Sequence, residues 1–397
     1  MVESAATPAT APVVIVGGGF GGLYTALALA ARRQHPPILL IEPNDRFLFL
    51  PLLYELLSGE LRSWEIAPRY DTLLAGKGVA WLQDRVEQID TAAAQVKTTG
   101  GRQLPYSRLV LATGAQANSF GIPGVSEHSL GFRTLADVER LQRLIRVLRD
   151  QAKPLQRLAV VGAGASGVEL ACKLADQLQG LAIVELIEQG PGLLPQAKAF
   201  NREQAVLALQ RRDVRLRTHT RVEAVRAGSL DLLGPGGSEQ LDVEAVIWTA
   251  GLRFSAPTFS PAASVDRLGR LMCESSLQLR EQPRIFALGD IAHVDTLQLD
   301  EAVTALPATA QVAFQEADCL AANLLHSLAG EPLEPFQYND LGEMMSLGEG
   351  EASLTGGGFT LAGAAAFQIR RLAYLARLPG KSHQLKVAAG WLADWPR

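Results

Sequence analysis

An apolar strand, glycines spaced GxGxxG and a helix rich in alanine and leucine occur twice in this chain. The first copy is VVIVGGGFGGLYTALALA, from Val13 to Ala30, and the second is LAVVGAGASGVELACKLA, from Leu158 to Ala175. In the first, Gly17, Gly19 and Gly22 hold the spacing, with Gly18 between; in the second, Gly162, Gly164 and Gly167 do. The glycines permit a tight turn and close backbone approach, so that the helix N-terminus can hold a pyrophosphate. Each copy is followed by a second apolar strand ending in an acid. ILLIE ends at Glu42, 20 residues after Gly22, and VELIE ends at Glu188, 21 residues after Gly167. An acid there accepts hydrogen bonds from an adenosine ribose. The pattern predicts an α/β chain with two Rossmann-like dinucleotide-binding domains.

Two such sites in one chain suggest a bound flavin dinucleotide and a nicotinamide coenzyme that reduces it. Shorter markers agree. LVLATGA (Leu109 to Ala115) is an apolar strand ending in Thr113-Gly114, VIWTAGL (Val246 to Leu252) repeats that form with Gly251, and RIFALGDIA (Arg284 to Ala292) ends in Gly289-Asp290. The 397 residues, 37 of them glycine, suffice for two or three domains joined by many tight turns. A net charge of -4 gives no reason to expect a nucleic-acid partner. Cys172, Cys273 and Cys319 form no CxxC pair, so neither a disulfide framework nor a metal site is expected. The opening MVESAATPATAP reads as a short disordered tail, and no apolar run reaches the roughly 18–20 residues of a membrane span.

With these markers in order, the chain resembles the flavoproteins in which an FAD domain is interrupted by an NAD domain. The resemblance implies FAD on Gly17, Gly18, Gly19, Gly22, Glu42, Thr113, Gly114, Asp290 and Ala310, with Asp290 on the ribityl chain. It implies NAD(P)H on Gly162, Gly164, Gly167, Glu188 and Gly251. Disulphide reductases and sulfide:quinone oxidoreductases of this fold need paired cysteines, which this chain lacks; Cys172, inside a helix, is expected to be a buried structural thiol. A quinone or a redox protein remains as electron acceptor.

LPATAQVAFQEA, from Leu306 to Ala317, resembles the AQxAxQQ segment of type II NAD(P)H:quinone oxidoreductases, whose glutamines line the quinone pocket. That resemblance gives Gln311 and Gln315 a catalytic place, with Glu316 where the family has a third glutamine. Four residues apart on a helix, the two amides share a face and can bond a quinone carbonyl without bringing charge into an apolar pocket. Two solvent-facing amides are the plainer alternative. Pro307 predicts the helix start. Glu169, in SGVELA, matches an acid that the family is proposed to use in proton delivery; an acid placed merely to suit the helix dipole is its alternative.

The sequence boundaries are 11–150 and 266–330 for the FAD domain, 151–265 for the NAD(P)H domain and 331–397 for a C-terminal part. That last part resembles the family's membrane-contact segment. Its basic residues are Arg370, Arg371, Arg377, Lys381, Lys386 and Arg397, and its final helix aligns Leu385, Ala388, Leu392 and Trp395, with Trp391 and Trp395 suited to an interface. A homodimer interface is the alternative use of the same helices. The resemblance implies a peripheral membrane protein on the cytoplasmic face of a thylakoid or plasma membrane. DRFLFLPLLYELLSGELRSWEIAP (Asp45 to Pro68), LGFRTL (Leu130 to Leu135) and LGEMMSLG (Leu341 to Gly348) resemble a branch, found in cyanobacteria and plastids, that reduces demethylphylloquinone.

The expected reaction is hydride transfer from NAD(P)H to flavin and then to a quinone, without proton pumping. Glu188 favours NADH by repelling a 2′-phosphate, while the branch resemblance implies at least partial use of NADPH. Reduction of a ferredoxin or rubredoxin, and a non-enzymatic flavin sensor similar to apoptosis-inducing-factor proteins, are the rival readings.

Overall fold

Val13–Val16 is the centre of a five-stranded parallel sheet. Its spatial order is Ile285–Ala287, Arg108–Leu111, Val13–Val16, Ile38–Ile41, Val79–Leu82 in a computed structural model that describes residues 11–151, 153, 155–294 and 306–393. All four residues of VVIV are buried, as a parallel strand covered on both faces requires. The register aligns Val16 with Ile41 on one side and with Leu111 on the other. The ends of all three strands, and so the residues that follow them, therefore reach the same edge. The helix Phe20–Ala30 packs along Ala310–Ala329, fastened by Phe20, Tyr24 and Phe314; the Tyr24 and Phe314 rings meet edge-to-face at 4.3 Å.

The same design returns in a second sheet, ordered Arg215–Arg217, Ile183–Ile187, Arg157–Val161, Ala245–Trp248, Ser129–Leu130. Val161 aligns with Ile187 and with Trp248, repeating the alignment of the first sheet. Beside it lies an antiparallel meander, Arg221–Arg226, Ser229–Gly234 and Gly237–Asp242, whose last turn is Pro235-Gly236.

These sheets belong to two units. One holds residues 1–48, 67–116 and 253–340, and the other 49–66, 117–252 and 341–397. Against the boundaries read from the sequence, residues 49–66 and 117–150 join the second unit, residues 253–265 join the first, and the C-terminal part joins the second from 341 onward. In that part, strands Glu343–Ser346, Ala352–Gly356 and Phe359–Gly363 form a small antiparallel sheet, followed by helices Ala364–Arg377 and Lys381–Ala393. Residues 1–10 of the N-terminal tail lie outside the described residues, as do Trp395 and Arg397.

Candidate active site: two dinucleotide cradles

Each cradle is built by one carboxylate reaching back across the glycine turn. In the first, Glu42 Oε2 accepts from the Gly18 N–H at 2.8 Å and Oε1 from the Asn44 N–H at 2.9 Å. In the second, Glu188 Oε2 accepts from the Ala163 N–H at 2.9 Å and Oε1 from the Gly190 N–H at 2.7 Å. Gly18 and Ala163 are the middle residues of their turns, and Asn44 and Gly190 each lie two past the acid. The two sites thus share one hydrogen-bond plan.

The glycine requirement repeats as well. Gly17 and Gly162 sit at φ +99° and +101°, where a side chain is strained. A Cβ on Gly22 or Gly167 would run into the carbonyl of Gly17 or Gly162, so the helix can approach the turn only with glycine there. Among the described residues nothing would meet a Cβ on Gly19 or Gly164, the residues preceding the two helices, so a ligand can approach these helix ends, where the dipole is positive.

The first cradle fits FAD on further grounds. Thr113 Oγ1 is buried without a hydrogen-bond partner among the described residues, next to Gly114 at φ +64°. A buried hydroxyl of this kind calls for a polar group from a ligand. Gly251 repeats the Gly114 conformation at φ +68° in the second cradle, with the Phe120 ring against it. Tyr70, which no motif flagged, donates its hydroxyl to the Gly18 carbonyl at 2.7 Å and fixes the turn from behind.

Asp290 stands in the short helical turn Gly289–Ile291, at the same sheet edge, and lines a small pocket with Arg270, Thr309 and Glu316. Glu316 is buried and accepts from the Gly289 N–H at 2.6 Å. Burial pushes its carboxyl up to about 7; the Gly289 bond lowers it and Asp290 adds to the rise. Glu316 thus supports the Gly-Asp turn.

The glutamine helix begins later than Pro307 predicts. It spans Ala310–Ala329, with Thr309 as N-cap accepting from the Val312 N–H at 3.3 Å, because a threonine side chain satisfies the first turn and proline cannot. Gln311 and Gln315 do share a face. Gln311 Oε1 accepts from the Tyr338 hydroxyl at 3.0 Å, while Gln315 exchanges two 2.9 Å hydrogen bonds with the Asn339 backbone. Both halves of the Gln315 amide therefore hold this loop.

In the other unit, Glu169 is buried one turn into the helix Ala165–Leu178. It accepts from the Ser346 N–H at 2.6 Å, bonds the Tyr54 hydroxyl and lies 3.8 Å from Arg370 Nη2. Burial pushes it up to about 7, against the pull of Arg370. Cys172, three residues on, is buried, and burial raises its thiol to about 12, which leaves it inert at neutral pH.

Two residues of the expected membrane segment are corrected. Arg370 is 1% exposed, donating to Glu55 Oε1 at 2.5 Å and to the Pro51 carbonyl at 2.7 Å, because the helix Ala364–Arg377 turns it inward. Trp391 is 8% exposed, with its indole N–H on Glu65 Oε1 at 2.6 Å and Arg371 stacked 4.0 Å over its ring. Leu385 and Leu392, by contrast, are 72% and 74% exposed. No helix among the described residues is long and apolar enough to cross a membrane.

Residues 11–317 match the family described as pyridine nucleotide-disulphide oxidoreductase. The chain is 39% identical to demethylphylloquinone reductase NdbB of Synechocystis sp., over 98% of each chain. It is 36% identical to the alternative NAD(P)H-ubiquinone oxidoreductase C1 of Arabidopsis thaliana, over 96% of this chain and 80% of that one. The structure of NDH2 from Plasmodium falciparum superposes with a TM-score of 0.85 at 18% identity, covering 97% of this chain and 98% of the other.

Proposed function

The chain belongs to the pyridine nucleotide-disulphide oxidoreductase family, and on that premise we propose that it is an FAD-dependent NAD(P)H:quinone oxidoreductase acting on a naphthoquinone of the demethylphylloquinone type. The observation that carries this reading is the pair of matching cradles in a chain with no cysteine pair, which leaves the flavin to reduce something other than a disulfide. The 39% identity to a demethylphylloquinone reductase supports the choice of quinone.

Bound FAD supplies a ring that takes a hydride from NAD(P)H and passes two electrons on to the quinone. Gly18, Asn44 and Tyr70 hold Glu42 and the turn ready for the adenosine ribose and pyrophosphate; Thr113 and Asp290 offer further polar contacts. Ala163 and Gly190 hold Glu188 in the same way for NAD(P)H. Gln311 and Gln315 are the proposed quinone-side amides, Gln315 also tying its helix to Asn339. The overall reaction, NAD(P)H + H⁺ + quinone → NAD(P)⁺ + quinol, draws one proton from solvent beyond the hydride. Glu169, titrating near neutrality, is suited to hold and deliver that proton.

The exposed Leu385 and Leu392 beside Lys381 and Lys386 support peripheral docking on a membrane that carries the quinone. Steady-state oxidation of NADH and NADPH by the FAD-loaded protein tests the reading, with a demethyl-naphthoquinone, a benzoquinone and a small iron–sulfur protein as separate acceptors. Fast turnover with the naphthoquinone is expected. Turnover with the iron–sulfur protein alone would overturn it.

A further inference from the structure

Arg370 lies between two acids and has charge for one. Its Nη1 meets Glu55 Oε1 at 2.5 Å, while its Nη2 bonds the Pro51 carbonyl and lies 3.8 Å from Glu169 Oε1. Glu55 therefore takes the ion pair and Glu169 receives only its fringe. The other groups facing Glu169 are the Tyr54 hydroxyl and the Ser346 N–H, with Tyr374 and Cys172 within electrostatic reach and Lys173 paired to Glu60 one turn on.

Glu55 and Arg370 also line a cavity of 160 Å³, with Glu60, Arg371 and the apolar Leu52 and Phe367. Glu55 Oε2 and Arg370 Nε are both buried with no hydrogen-bond partner among the described residues. One is an acceptor and the other a donor, and the cavity has room for several waters, which can satisfy both. An apolar occupant would leave both unmet. Glu60 also lines this cavity; it is 22% exposed and is held by Ser58 Oγ at 2.5 Å and the Gly350 N–H at 3.0 Å.

We propose that Glu55 is a positioning residue for the quinone half-reaction: with water in the adjoining cavity, it holds the Arg370 charge away from Glu169 and so keeps Glu169 able to carry a proton at neutral pH. This rests on Glu169 being the proton group of the proposed function. In each turnover Glu169 gives its O–H proton to the quinol oxygen and regains one from solvent, while both electrons come from the hydride.

The test is stopped-flow reoxidation of the reduced, FAD-loaded protein by a tail-less naphthoquinone, between pH 5.5 and 9. In Glu55→Gln, Arg370 turns its charge to Glu169, so the pH limb of reoxidation moves down by about one unit, roughly a tenfold slower rate above neutrality. In the double variant Glu55→Gln/Arg370→Met the cation is gone and the limb moves up instead. Flavin reduction by NADH keeps its wild-type rate in both. Opposite shifts are the expected result, since a merely structural role does not change sign between the two. A limb unmoved in either folded variant overturns the proposal, and Glu55→Ala, for which the same downward shift is expected, replaces the single variant if Glu55→Gln loses FAD. Glu169→Gln separates the two readings: a limb that survives this change removes Glu169 as the proton group, whatever Glu55 does.

Discussion

Glu42 Oε2 accepts a hydrogen bond from the Gly18 N–H at 2.8 Å, and this one contact ties the end of the second strand to the turn that leaves the first. The carboxylate uses both oxygens, on the Gly18 and Asn44 N–H groups, and an amide there would turn a donor toward one of them. Glu42→Gln should weaken FAD binding by tenfold or more, the usual range for a lost charge-assisted bond of about 1.5–3 kcal/mol. Flavin retention on dilution reads it out; wild-type retention would show that the acid only braces the turn.

Glu188 repeats the contact with Ala163 at 2.9 Å, which fixes its carboxylate beside the glycine turn, and an acid at the end of this strand disfavours a 2′-phosphate. Glu188→Gln should raise NADPH efficiency relative to NADH by about tenfold, mainly through KM, because removing one repulsive charge is worth about 1–2 kcal/mol. Equal losses with both coenzymes would mean that this acid does not set the choice.

Glu316 sits buried against Gly289 with its carboxyl raised to about 7. In the unfolded chain it ionises near 4.5, so between pH 4.5 and 7 the folded state holds more protons and stability falls as pH rises. Above about 7 the penalty is constant. Glu316→Gln keeps an acceptor for the Gly289 N–H and removes the ionisation. The variant should gain stability over the wild type through that window, levelling at no more than about 3 kcal/mol. Urea unfolding at pH 5, 6, 7 and 8 measures the difference, and a gain that shrinks with pH would contradict the assignment.

The dinucleotide cradles were legible in the sequence because everything they need is local: a strand, a turn that only glycine can make and an acid one strand away. The helix bearing Gln311 and Gln315 was legible as a shared face, though not its start, since Pro307 drew the boundary that Thr309 makes. Glu55 and Arg370 were not legible at all. They are 315 residues apart, and no periodicity says that an arginine in a basic helix turns inward to an acid near the other end of the chain. Trp391 was misplaced for the same reason, its partner Glu65 lying 326 residues away. Composition counts charges; only packing says which ones reach solvent.

What packing leaves exposed on the last helix is Leu385 and Leu392, with Lys381 and Lys386 on the same helix and Leu372 61% exposed on the preceding one. Burying two leucines in a lipid interface contributes about 3–6 kcal/mol. Leu385→Glu/Leu392→Glu should therefore lower partition onto anionic vesicles at least a hundredfold, while FAD content and turnover with a tail-less naphthoquinone in solution stay at wild-type levels. Vesicle sedimentation and gel filtration are run together. Loss of vesicle binding with an unchanged elution volume assigns the helix to the membrane. A change from dimer to monomer with vesicle binding intact assigns the two leucines to a contact between copies of the chain, and wild-type behaviour in both removes them from either role.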